Sequence, residues 1–156
     1  MIMGENEEKV MVITSGGFDP IHPGHIEYLQ KAKELYKNAY HICIVNDDDF
    51  LIEKKGFCFQ EFPQRAFIVS SLRCVDSVFR CHDTDGTVCE TIKELNDIAK
   101  ECGYSKVVFA KGGDRFANEI PEAKVCKELG IEIVDGLGEK IFSSSNLIER
   151  AKNYAK

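Results

Sequence analysis

The chain alternates short apolar runs with amphipathic ones. Val10-Met11-Val12-Ile13-Thr14 is apolar, largely β-branched, and breaks at Ser15-Gly16-Gly17, which predicts a buried strand and then a turn. From His25 to Leu35, Ile26, Leu29, Ala32 and Leu35 fall at helical spacing between Lys and Glu residues, the pattern of an amphipathic helix. Tyr40 to Val45 predicts a second strand, and the charged, irregular stretch Asn46 to Pro63 reads as a loop. Pro63 suits a helix start, with Ala66, Phe67, Val69 and Leu72 as its apolar face. Val75 to Phe79 is the third predicted strand, followed by a helix over Thr87 to Cys102 that Gly103 closes. Lys106 to Ala110 is the fourth strand, Pro121 to Leu129 a helix capped by Gly130, Ile131 to Val134 the fifth strand, and Ser143 opens a last helix.

Strands thus alternate with helices throughout, which predicts an α/β fold with a five-stranded, mostly parallel sheet covered by helices on both faces. Its crossovers are expected to be right-handed. In such a sheet ligands bind beyond the carboxyl ends of the strands, near a switch in strand order, so the residues after each strand are the ones to inspect. No repeat, linker or low-complexity segment divides the chain. Residues 1–156 read as one domain, with residues 1–9 expected to be flexible.

Composition narrows the class. With 44% hydrophobic and 29% charged residues over 156 positions, a disordered chain, a fibre and a disulfide scaffold are excluded. No apolar run approaches the ~20 residues of a membrane span, and acidic Met1–Lys9 has no signal-peptide core. The expectation is a cytoplasmic protein without a membrane partner. Twenty Lys and Arg against 26 Asp and Glu give a net charge of -6, the wrong sign for gripping nucleic acid but compatible with a local basic pocket. The seven cysteines are odd in number and contain no Cys-x-x-Cys, so they read as reduced thiols, most in small-hydrophobe roles.

The candidate chemistry sits after the first strand, in Gly16-Gly17-Phe18-Asp19-Pro20-Ile21-His22-Pro23-Gly24-His25. The two histidines bracket Pro-Gly at a helix N-terminus, where free N–H groups and the positive dipole end favour a phosphate. His22 and His25 can donate to phosphate oxygens and hold charge that builds on a phosphoryl group under attack. A lone histidine here would read as a helix cap; the whole string points further. No Gly-Lys-Ser/Thr follows, so it is not a Walker loop, and Gly-x-Gly-x-x-Gly is missing, so it is not a dinucleotide fingerprint.

The string resembles the signature of the cytidylyltransferase-like nucleotidyltransferase superfamily, a His-x-Gly-His motif preceded by Gly-x-Phe-Asp, matched at Gly17, Phe18, Asp19, His22, Gly24 and His25. The resemblance covers about Val10 to Arg150. It implies a Rossmann-like fold and transfer of the nucleoside monophosphate of CTP or ATP to a phosphorylated acceptor, with pyrophosphate released. Mg2+ would ride on the triphosphate, with no metal site built from protein alone. The histidines would stabilise the transition state, with Gly16 among the nucleotide-approach residues and Asp19 organising the turn and acceptor side.

Other segments carry further implied roles. Ser143, Ser144 and Ser145 resemble the motif whose hydroxyls and N–H groups hold the β- and γ-phosphates; the family often has Thr at the place of Ser145. Lys111-Gly112-Gly113-Asp114 resembles the Lys-Gly-Gly-Asp of heptose 1-phosphate adenylyltransferase domains and would read base and ribose. A loop lysine, Lys54 or Lys55 with Lys55 favoured beside Gly56, would clamp the triphosphate and acceptor phosphate. Arg65 and Arg73 are further candidates for the acceptor phosphate, and Arg73-Cys74-Val75-Asp76-Ser77-Val78 is similar to a segment at the family's dimer contact, so a homodimer is expected. Gly138-Glu139-Lys140-Ile141 lacks the arginine of the glycerol-phosphate and choline-phosphate enzymes. CTP against ATP and the acceptor (sugar, polyol or amino-alcohol phosphate) stay open. So do a nicotinamide mononucleotide or pantetheine-phosphate type of adenylyltransferase and a catalytically silent nucleotide-binding module.

Overall fold

The computed structural model describes residues 8–113, 120–138 and 143–155. Five strands form one sheet: β1 (Val10–Gly16), β2 (Tyr40–Val45), β3 (Ser77–Arg80), β4 (Lys106–Gly112) and β5 (Glu132–Leu137). Six helices connect or follow them: α1 (Pro23–Lys33), α2 (Asp48–Lys55), α3 (Phe62–Ser70), α4 (Cys89–Glu101), α5 (Glu122–Leu129) and α6 (Ser144–Tyr154). The sheet order is β3-β2-β1-β4-β5 and every pairing is parallel. The order runs outward from β1 in one direction and then, with β4, in the other, so the switch point lies between β1 and β4.

Both faces of the sheet are buried, as its continuous apolar strands require. Met11 and Ile13 of β1 pack with Ile42, Ile44 and Phe109 against Ile92, Leu95 and Ala99 of α4 and Cys126 of α5. Val10 and Val12, on the opposite face, pack with Val108 and Ala110 against Ala32 of α1. Leu29 of α1 and Val69 of α3 complete that side against Cys43 and Val45. The period of two along β1 therefore assigns each residue to one helical layer or the other.

Three expectations are corrected. The stretch Asn46 to Pro63 is not one loop, because α2 occupies Asp48–Lys55. The apolar pattern missed it because only Leu51 of this helix is buried. The helix after Pro63 buries Val69 of its expected face but turns Phe67 outward, 72% exposed, and buries Arg65 in its stead. The first, fourth and fifth strands each run two or three residues past their expected ends, to Gly16, Gly112 and Leu137. These extensions carry the glycine turns into the sheet edge where the candidate site lies. All seven cysteines are free thiols; Cys43, Cys81 and Cys126 are buried and Cys102 is exposed. Among the described residues no helix is long and apolar enough to cross a membrane.

Candidate functional site

The site is built around the start of α1. His22 is its N-cap, with extended backbone, and Pro23 sits at the first helical position, where a missing N–H costs nothing. The two histidines cap each other: His25 N–H donates to His22 Nδ1 at 3.3 Å and His22 N–H to His25 Nδ1 at 3.2 Å. Their rings stack with centroids 3.7 Å apart and 18° between planes. The exchange fixes the chemistry of both rings. With each Nδ1 an acceptor, each neutral ring carries its proton on Nε2, and His25, which lines the cleft, presents that N–H toward a ligand. Burial, then the charges of His22 and Lys55, hold His25 down at about 3, and burial followed by Lys55 also lowers His22. Both rings are therefore neutral near pH 7.

Two glycines and an aromatic ring set the approach. A Cβ on Gly16 would lie 2.8 Å from Phe18 Cζ, and one on Gly17 2.6 Å from Leu51 Cδ2, so neither position has room for a side chain. Phe18 is buried at φ 52° and meets His25 edge-on, centroids 5.0 Å apart. It supports the histidine from beneath as well as lining the cleft. Asp19 is also buried, and its carboxylate accepts the N–H groups of Phe59 and Gln60 at 2.7 and 2.6 Å. Both its oxygens thus tie the chain after α2 to the histidine turn. The Asp19–Pro20 peptide is cis.

A cleft of about 330 Å³ opens over the switch point. Gly16, Gly17, Phe18, His25, Lys54, Lys55, Lys111 and Ser144 all line it, so residues from the ends of β1, α2 and β4 and the starts of α1 and α6 converge there. His22 stacks against the cleft-lining His25. Gly24 lies in the first turn of α1, and Gly112 and Gly113 follow Lys111 at the end of β4. The serines divide. Ser143 Oγ accepts Asn146 N–H as the N-cap of α6, Ser144 Oγ donates to Pro20 O at 2.8 Å, and Ser145 is exposed. Asp114 lies outside the described residues.

The two arginines are not brought into the cleft. Arg65 is fully buried: Nε donates to Gln60 O, Nη1 to Gly17 O and Asn46 O, and Nη2 pairs with Asp48 at 2.6 Å. Its guanidinium braces the floor from below, so the expected acceptor-phosphate contact gives way to a structural role. The pairing holds the Asp48 carboxyl below its usual range despite the opposing effect of burial. Arg73 is exposed and lines a separate hollow with Lys33, Glu34 and Leu72.

Sequence reasoning overlooked Asn46, Phe50, Gly86 and Glu122, which also line the cleft. Asn46 follows β2 directly, so its position at a strand end was the available signal. Its Oδ1 is buried and has no hydrogen-bond partner among the described residues. Gly86 and Glu122 come from the β3–α4 connection and the start of α5, segments without a motif. No cluster of three or more His, Cys, Asp or Glu side chains suited to a metal ion occurs among the described residues.

Known proteins resemble this chain over most of its length. A family model described as Cytidylyltransferase-like matches residues 13–150. The bifunctional protein HldE of Helicobacter hepaticus is 32% identical over 155 residues, covering 95% of this chain and 28% of that protein. The FAD synthase of Picrophilus torridus is 33% identical over 121 residues, 77% of each chain. The chain therefore spans less than a third of HldE and about three quarters of the FAD synthase. Among solved structures, the lipopolysaccharide core biosynthesis protein from Thermoplasma volcanium GSS1 superposes with a TM-score of 0.63 at 21% identity, covering 83% of this chain and 97% of that one. The bifunctional NMN adenylyltransferase/ADP ribose pyrophosphatase from Francisella tularensis gives 0.60 at 14% identity, over 95% of this chain and 43% of that one. At such identities the likeness establishes the shared fold.

Proposed function

Since the chain belongs to the cytidylyltransferase-like family of nucleotidyltransferases, we propose that it transfers a nucleoside monophosphate, AMP from ATP in preference to CMP from CTP, to a phosphorylated small molecule. The observation that carries this reading is the reciprocally capped His22–His25 pair at the helix N-terminus, set in a cleft that also gathers Lys54, Lys55 and Lys111. The preference for ATP is supported by relatives named for FAD synthesis. The Lys111-Gly112-Gly113 turn at the end of β4 supports it too.

In this mechanism the acceptor's phosphate oxygen attacks the α-phosphorus in line. The new P–O bond forms as the bond from the α-phosphorus to the bridging oxygen of the β-phosphate breaks. Its electron pair leaves with pyrophosphate. A phosphate monoester is already an anion near neutral pH, so no strong base is required and catalysis is positioning plus charge stabilisation. The Nε2–H of His25, with His22 stacked on it, donates to the α-phosphate oxygens as their charge grows. Lys54 and Lys55, on the last turn of α2, hold the triphosphate and the acceptor phosphate. The N-terminus of α6, with Ser144 at the cleft, holds the outer phosphates. The substrate form would be MgATP, whose Mg2+ would neutralise part of the phosphate charge. Asp19 acts through the turn it fixes, and Asn46 Oδ1 accepts a substrate hydroxyl.

The test is pyrophosphate release with Mg2+, crossing ATP and CTP with sugar, polyol and amino-alcohol phosphates and with nicotinamide mononucleotide. Release from ATP with one phosphorylated acceptor supports the reading; a CTP-only signal overturns the base preference. Nucleotide binding without pyrophosphate from any acceptor would favour a silent binding module.

A further inference from the structure

The parallel ladder between β1 and β4 runs from Val10↔Lys106 to Ile13↔Phe109, yet β1 continues to Gly16 and β4 to Gly112. Continued in this register, Ser15 would lie opposite Lys111, and a parallel ladder would send Ser15 N–H directly to Ala110 O. A side chain stands in that place. Ser15 N–H donates to Tyr28 Oη at 3.3 Å, and Tyr28 O–H donates to Ala110 O at 2.5 Å. One phenol hydroxyl thus replaces one ladder bond at the switch point, where Ser15, Gly16 and Lys111 line the cleft.

We propose that Tyr28 is a positioning residue for the nucleotide, a strut that holds β1 and β4 apart so that the backbone of Gly16–Gly17 and of Lys111–Gly112 can flank the ligand. The ring side of the strut is equally built. A Cβ on Gly112 would lie 2.9 Å from Tyr28 Cδ1 and 3.0 Å from Leu137 O, so the strand end is glycine where the ring presses on it. Burial, then Cys43, pushes the phenol far above its usual value, so it remains a proton donor to Ala110 at any working pH. Tyr28 also lies one turn beyond His25 on α1, so the same anchor fixes the helix whose start carries the histidine pair. Nothing in the apolar pattern distinguishes this tyrosine; its meaning comes from the unpaired ends of two strands.

The inference rests on the nucleotidyltransferase reading for the ligand, and its test separates the two. Tyr28→Phe keeps the ring and removes only the hydroxyl. Three quantities are measured: the hydrogen exchange of the Ser15 amide by NMR, the affinity for MgATP by calorimetry, and the steady-state constants. The expected result is Ser15 exchange faster by about tenfold or more. The affinity for MgATP falls about tenfold and the KM for nucleotide rises to match, while kcat and the acceptor KM stay within about threefold. Gly112→Ala, which pushes the same gap from the other strand, should weaken MgATP in the same direction. Should Tyr28→Phe fail to fold, Ser15 exchange in the unaltered protein and in Gly112→Ala still decides: a fast Ser15 amide in the unaltered protein overturns the strut. A lowered melting temperature with unchanged nucleotide affinity overturns the positioning role. A Ser15 amide as protected as before shows the strands have closed on each other without loss, and overturns it as well. If the unaltered protein binds neither MgATP nor MgCTP, the nucleotide reading fails and the ligand-positioning role falls with it; the exchange data then report only on the bridge.

Discussion

Two nitrogens of each histidine have different duties, and isosteres separate them. Asparagine places its amide oxygen near where Nδ1 stands, while glutamine reaches toward Nε2. His25→Asn therefore keeps the acceptor for His22 N–H and loses the Nε2–H that the proposed chemistry needs. Pyrophosphate release should drop by about a hundredfold or more, with the thermal midpoint moved by only a few degrees. Equal losses of activity and stability would make the pair a cap and nothing else. The same residues set an acid limit. His25 is held at about 3, mainly by burial, and His22 and His41 are lowered for the same leading reason. Below the unfolded value of about 6.5 the unfolded chain binds protons that these folded rings refuse, so stability is fully present above that pH and falls as pH drops through it. For His25 alone the loss at pH 5 is about 2 kcal/mol. Melts between pH 7.5 and 5 should show it, and His25→Asn should flatten the slope. Both histidines were legible in the sequence, because Pro-Gly between them marks a helix start. Their mutual capping was not, since it depends on two ring orientations.

At the scale of elements, α2 and α3 show which signals the apolar pattern carries and which it omits. α2 has no usable stripe, but its charges are ordered: Asp47 caps it, Asp48 and Asp49 fill the first turn, Lys54 and Lys55 the last, and Gly56 at φ 86° ends it. That order complements the helix dipole and was the available evidence for a helix. The consequence is functional: the two lysines sit at the end of a helix capped by glycine and not in a free loop. α3 hides its role differently. Arg65 looks like a phosphate ligand in sequence, but it is 0% exposed and gives four hydrogen bonds within the scaffold. Arg65→Met would leave three carbonyls and the Asp48 carboxylate without their donor. A loss of about 3 kcal/mol is expected, seen as a lower urea midpoint with the slope retained. An acceptor-binding arginine would behave otherwise, with melting unchanged and only the acceptor KM raised.

For the whole molecule, the topology was legible because parallel strands buried on both faces leave apolar runs that alternate with helices, and five such runs appear in order. Runs alone do not give the strand order, yet the order decides where ligand binds. The sheet turns from β1 to β4 above the one place where Lys54, Lys55 and Lys111 converge in a chain of net charge -6. An acidic protein that concentrates lysines in a cleft has a local field opposite to its net charge, which draws a polyphosphate inward while the remaining surface repels it. The cleft walls come from β1, β4, α1, α2 and α6, elements scattered from one end of the sequence to the other, so a nucleotide bound there ties the folded state together and has no counterpart in the unfolded chain. At a hundred times its dissociation constant such a ligand adds about 2.7 kcal/mol, a rise of several degrees in melting temperature for a domain of this size. MgATP should produce that rise, MgCTP a smaller one, and added salt should reduce both because the attraction is ionic. Equal shifts from the two nucleotides would remove the preference for adenine, and no shift from either at millimolar concentration would mean that the cleft receives something other than a nucleotide.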